Sequence, residues 1–156
     1  MTIKEQMKQD LQSARLNKES DELIKALQLT LSKVQTREID AKRELNDSEV
    51  IAIIKKEIKD NEETIDFVLT EIDNPNQDIE RKEVLQQRYI NLDIINHKYA
   101  TYVPRQLTEE EILILLNNKG AQKGDNIGKL MGMVMSTHKE VVDGNLVREV
   151  VQKNFQ

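Results

Sequence analysis

Cysteine and tryptophan are absent from this 156-residue chain, proline and histidine occur twice each, and aromatic residues make up only 3%. Without cysteine there is no disulfide, no thiolate metal ligand and no cysteine nucleophile. Two isolated histidines, His97 and His138, do not make up a zinc ligand set, and no other metal or cofactor site is expected. Scarce aromatics leave little on which single-stranded bases could stack. No run approaches the length of apolar sequence that spans a bilayer, so no membrane partner is expected. The first residues, Met1-Thr2-Ile3-Lys4-Glu5-Gln6, lack the apolar segment of a secretory signal, and the expectation is a soluble, cytoplasmic protein.

What is present is aliphatic and charged: 38% hydrophobic residues, almost none aromatic, and 33% Asp, Glu, Lys and Arg. That composition suits helix packing better than a sandwich or barrel and predicts an all-α protein. The formal net charge is −5, yet residues 45–80 alone carry 11 acidic and 3 basic groups. The arm from Asp47 to Glu80 therefore holds the whole acidic excess and repels a phosphate backbone over about a Debye length, ~8 Å. No DNA partner is expected, and any RNA contact must lie elsewhere.

Periodicity and caps divide the chain into helices. Thr2-x-x-Glu5 has the form of a capping box, and Ile3, Met7, Leu11 and Ala14 follow on one face of a helix ending near Asn17. Ser20 before Asp21 and Glu22 opens a second helix, carrying Ile24, Leu27, Leu31 and Val34 to about Glu44. Asn46 with Glu49 opens a third, whose seam of Ile51, Ile54, Ile58, Ile65, Val68 and Ile72 is interrupted at Asn61. A buried asparagine there would set helix register, but its acidic neighbours favour a solvent-facing position. Asp73-Asn74-Pro75-Asn76 breaks the helix. Leu85, Tyr89, Leu92, Ile94, Ile95 and Tyr99 then mark a fourth helix, packed antiparallel on the third as a long hairpin.

After Tyr102 the elements shorten, which places a boundary between an N-terminal bundle of about four helices, residues 1–103, and a small three-helix subdomain, residues 104–156. Thr108 to Glu111 is a further capping box, introducing Ile112 to Leu116, and Gly120 suits the position just past a helix end. Asp125 is expected to cap a helix from Ile127 to Met135, and Asp143 a last one carrying Leu146, Val147, Val150, Val151 and Phe155.

No phosphate loop, nucleophile elbow or dinucleotide fingerprint is present, and no catalytic residue is expected. Carboxylate pairs are so common here that none is specific. His97 reads as a surface or helix-packing residue and His138 as a residue of the loop after the glycine-bearing helix, with a phosphate contact as its alternative. Gly128-x-x-x-Gly132 is more informative, since a glycine inside a helix costs roughly 1 kcal/mol relative to alanine. The favoured reason is close packing on a neighbouring helix with Met131, Met133 and Met135 filling gaps; the alternative is a surface left open for RNA backbone or a partner.

Tyr102-Val103-Pro104-Arg105-Gln106-Leu107-Thr108 with its following glutamates, Gly128-Lys129-Leu130-Met131-Gly132, and Val142-Asp143-Gly144 together resemble the GatB/YqeY family in order and spacing. Asn46-Asp47-Ser48-Glu49-Val50 resembles the start of that family's third helix, extending the similarity over the chain. The resemblance implies a helical bundle with a helical tail, related to the tail of the B subunit of the glutamine-dependent tRNA amidotransferase, which helps hold tRNA by shape. Between Met135 and Asp143 the chain departs from the family pattern: Thr137 and Val141 stand at two basic positions and Glu140 at the loop glycine.

The first expectation is therefore a non-catalytic helical module that binds tRNA or a tRNA-handling enzyme through Lys123, Gly128, Lys129, Gly132, His138, Lys139 and Arg148. The alternative is an adaptor that engages a protein through the acidic hairpin 47–80 or a groove of the tail. Amidotransferase-like activity, a carbon–nitrogen ligase using glutamine, ranks last.

Overall fold

The computed structural model describes residues 1–156 and is all-α, as composition and periodicity predict. Seven helices follow in order: α1 (Ile3–Leu16), α2 (Asp21–Ala41), α3 (Asp47–Ile72), α4 (Ile79–Ala100), α5 (Glu109–Asn118), α6 (Ile127–His138) and α7 (Gly144–Phe155). The chain forms two compact units, Met1–Val103 and Pro104–Gln156.

In the first unit the caps fix where helices begin. The Thr2 hydroxyl accepts from the Glu5 amide at 3.2 Å while the Glu5 carboxylate accepts from the Thr2 amide at 2.8 Å. Asn46 and Glu49 repeat the exchange at 3.0 and 2.9 Å. Such pairs satisfy amides that have no partner within the helix. Glu49 also accepts from both terminal guanidinium nitrogens of Arg43, at 2.9 and 2.6 Å. Arg43, then the Asn46 amide, hold its carboxyl at about 2. The second helix stops at Ala41, three residues short of the expected end, because Lys42 turns left-handed at φ 55°. The Arg43 amide then closes the end on the Glu38 carbonyl at 3.2 Å.

Met7, Leu27, Val34, Val50 and Ile54 are wholly buried at the centre of this unit. Thr30 is its one buried polar residue; its hydroxyl meets that of Tyr99 at 2.7 Å, and Tyr99 donates to the Ala26 carbonyl at 2.9 Å. Tyr102 donates to Asp10 Oδ2 at 2.6 Å, and the same oxygen pairs with Lys98 at 3.0 Å. Every buried side-chain polar atom is thereby satisfied, as burial requires.

Helices α3 and α4 form the expected antiparallel hairpin. Its inner half contributes Ile53, Ile54, Ile95 and Tyr99 to the main cluster, whereas Val68 and Leu85 are buried further out, apart from that cluster. Two expectations change here. Asn61 does not face solvent: it is half-buried and donates to Asn96 Oδ1 at 2.8 Å, while the Asn96 amide reaches the Ile58 carbonyl at 3.3 Å. The gap in the seam is filled by a cross-helix amide pair. Ile94 is 42% exposed and lies off the buried stripe, which runs through Leu85, Ile95 and Tyr99. Removing the pair by Asn61→Ala is expected to lower the stability of the first unit by about 1 kcal/mol, the net worth of a half-buried hydrogen bond, read from the midpoint of urea unfolding.

The second unit packs α5, α6 and α7 around Ile112, Leu116, Leu130, Val134, Val147 and Val151, all at 0% exposure. Thr108 and Glu111 complete the third capping box at 3.3 and 2.8 Å. Gly120 lies just past the end of α5 at φ +84° and Gly124 stands at φ +90°, backbone that a side chain would strain. The Gly124 amide then bonds the Phe155 carbonyl at 2.7 Å, tying the α5–α6 turn to the end of α7.

Candidate functional site

The proline-bearing stretch before α5 has a structural task. Arg105 grips Glu111 with two nitrogens, at 3.2 and 2.7 Å. Arg105, then the Thr108 amide, hold the Glu111 carboxyl at about 2. Gln106 donates its side-chain amide to the carbonyls of Pro104 at 2.9 Å and Glu140 at 3.2 Å, and the Leu107 amide reaches the Val141 carbonyl at 2.7 Å. The start of α5 and the α6–α7 loop are therefore clasped together, with Val142 buried beside them. Gln106 is the residue that sequence reasoning missed: its motif was visible, but nothing local shows that its partner lies 34 positions away.

The cap of α6 is Asn126, not Asp125. Asn126 Oδ1 accepts from the Gly128 amide at 2.8 Å, and a Cβ on Gly128 would lie 3.1 Å from that oxygen. Asp125 works one turn earlier, accepting from the Gln122 amide at 2.9 Å and from Lys129 at 3.2 Å. The Gln122 amide, then Lys129, hold its carboxyl below the usual carboxylate range.

Close packing of the glycine pair on a neighbouring helix is not what the fold uses. Gly128 and Gly132 are both exposed, and a Cβ on Gly132 would meet nothing within 4 Å. Leu130 and Val134 bury the opposite side of α6, and Met131, Met133 and Met135 fill the flanks of the core. The periodicity of α6 thus puts Gly128, Lys129, Gly132 and Ser136 on its solvent side.

The remaining expected site residues lie in the flanking turns and on α7. Lys123 is exposed in the turn before α6, Lys139 follows the helix end, and Arg148 is exposed on α7. None of these three has an ion-pair partner. His138 is the last residue of α6 rather than a loop residue, half-buried, with Nδ1 at 2.6 Å from the Thr137 hydroxyl. Lys119 turns inward: its ammonium donates to the Met133 carbonyl at 2.7 Å and to Thr137 at 2.8 Å, closing the C-terminal end of α6. Thr137 therefore anchors a half-buried lysine. A hollow of about 410 Å³ opens at this end, lined by residues 136–141. His97 stands apart, exposed on α4 and bonded to the carbonyl of Asp93 at 2.8 Å.

No set of three His, Cys, Asp or Glu residues is arranged to hold a metal ion. No helix is long and apolar enough to cross a membrane. The sequence model of a family described as "Yqey-like protein" matches residues 4–155. No curated protein matches the chain.

Proposed function

Because the chain belongs to the Yqey-like family, we propose that it is a non-catalytic helical module whose C-terminal unit holds a folded RNA, tRNA in the first instance, by its backbone. One observation carries the reading. Gly132 lies inside a helix, where it costs about 1 kcal/mol relative to alanine, and has open space where its side chain would be. Packing within the protein gives no reason for it, whereas a backbone or phosphate brought close to α6 does. Lys129, on that face and held only by an exposed contact to Asp125, supplies positive charge there, and Lys123, Lys139 and Arg148, exposed and free of ion pairs, add to it on the same unit. The relation to the tail of the tRNA-dependent amidotransferase B subunit that the motif resemblance implies favours tRNA as the RNA class, read by shape because aromatics for stacking are few.

An electrophoretic shift with bulk tRNA at micromolar protein tests the proposal. About four phosphate contacts give a log–log salt slope of about −3, so affinity is expected to fall roughly 60-fold between about 50 and about 200 mM salt. Lys129→Glu is expected to weaken binding and flatten the slope. Gly132→Leu, which the open space admits without disturbing the core, is expected to weaken binding by filling the approach. Absence of any shift at low salt, or binding indifferent to both changes, overturns it.

A further inference from the structure

Of the eleven large hydrophobic side chains that are exposed, six lie on the α3–α4 hairpin, and Phe67 is the largest of them at 62% exposure. The chain has only two phenylalanines, and the other, Phe155, is buried. Phe67 cannot be explained by the core: the buried seam of outer α3 runs through Val68, and Phe67 points away from it.

Its surroundings define what can cover it. On a helix the residues four before, four after and seven before share a face, which here are Glu63, Glu71 and Asp60, while Glu62 and Asp66 lie to the sides of it. From Asp60 to Ile72, α3 carries five carboxylates and no lysine or arginine. None of the five is in an ion pair. Arg81, Lys82 and Arg88 on α4 offset only part of this, since residues 60–88 still hold nine carboxylates against those three cations. The tip is ordered by its own bonds: Gln77 donates to Glu71 at 2.8 Å, and the Asn76 amide to Asn74 Oδ1 at 2.9 Å.

We propose that the outer face of α3 centred on Phe67 is a docking surface for a basic amphipathic helix of a partner protein, whose apolar side covers Phe67 and whose lysines or arginines meet Glu63 and Glu71. Charge decides among occupants. A second copy brings another Asp60, Glu63 and Glu71 to the same face, and an RNA backbone or an anionic lipid surface is repelled by it. A cationic helix is attracted, and its guanidinium or ammonium groups also gain from the phenyl face. This goes beyond the RNA reading, which concerns the other unit.

The test uses the full chain and a labelled helical peptide of leucine and lysine, about 14 residues or four turns long, with fluorescence anisotropy as the readout. Oligolysine of equal charge is the control. Micromolar binding that falls with salt is expected, with Phe67→Ser weakening it at least about tenfold, as for an interface anchor, and Glu63→Lys with Glu71→Lys abolishing it. Lys129→Glu is expected to leave it unchanged, which separates this surface from the proposed RNA face. Phe67 is exposed, so its replacement leaves the fold intact, checked by circular dichroism. Equal binding of oligolysine, indifference to Phe67→Ser, or no binding at all overturns the proposal. So does a Phe67-dependent dimer in sedimentation, which would make a second copy the occupant.

Discussion

Leu130→Ala is expected to lower the stability of the C-terminal unit by about 2–5 kcal/mol, the range for truncating a buried leucine. Leu130 is at 0% exposure and sits with Ile112, Leu116 and Val134 where α5, α6 and α7 converge. The removed atoms lose their burial, and the Asn126 cap at the start of α6 with the Lys119 bond to the Met133 carbonyl limits how far the helix can move to close the void. A unit of residues 104–156 has, at ordinary stability per residue, only about 3–8 kcal/mol in total. The substitution therefore leaves it close to unfolding at room temperature. The two hydrophobic clusters share no residue, so the loss is expected in one unit only. Native-state hydrogen exchange on the full-length variant checks this: protection should collapse in α5–α7 and persist in α2 and α3. Equal loss in both units, or none, contradicts the account.

The second large effect is alkaline lability of the N-terminal unit. Burial, against a smaller opposing contribution from its bond to Thr30, raises the Tyr99 phenol from 10 to about 12. Burial and then the hydrogen bond that Tyr102 donates to the Asp10 carboxylate push the Tyr102 phenol up as well. A folded-state value above the unfolded one means that the native state keeps a proton the unfolded chain gives up. The contribution is thus fully present below pH ~10 and is lost as pH rises from about 10 through about 12. Tyr99 is 2% exposed, so little solvent screening applies, and the upper value corresponds to roughly 2–3 kcal/mol. Urea midpoints at pH 8 and pH ~11 are expected to differ less in Tyr99→Phe than in the natural protein. An unchanged difference between the two proteins removes Tyr99 from the explanation. The acidic limb runs the other way: Glu49 and Glu111, both held at about 2, contribute stability present above the ordinary glutamate value and lost as pH falls toward 2.

How much of this could be read in advance differs from residue to residue. Thr2, Ser20, Asn46, Thr108 and Asp143 cap the helices assigned to them, because a cap and its amide lie within a few positions of one another. Asp125 and Asn126 are adjacent and chemically similar, so composition could not choose between them; the geometry of the preceding turn did. The acidic neighbours of Asn61 lie along α3 and point to solvent, whereas its partner, Asn96, lies across the hairpin, where no local pattern shows it. The spacing of Gly128 and Gly132 shows that side chains are missing and not what stands opposite, which at Gly132 is open space.

Helix class, caps, breaks, the acidic arm and the family motifs are local or additive properties, and the sequence by itself determined them. Only the tertiary structure decided which faces are covered: that Gly132 opens to solvent, that Lys119 turns inward to Met133 and Thr137, that Gln106 clasps the α6–α7 loop, and that Phe67 is left outside. Each depends on which distant residue arrives beside it, and that is set by how whole helices pack, not by any spacing along the chain.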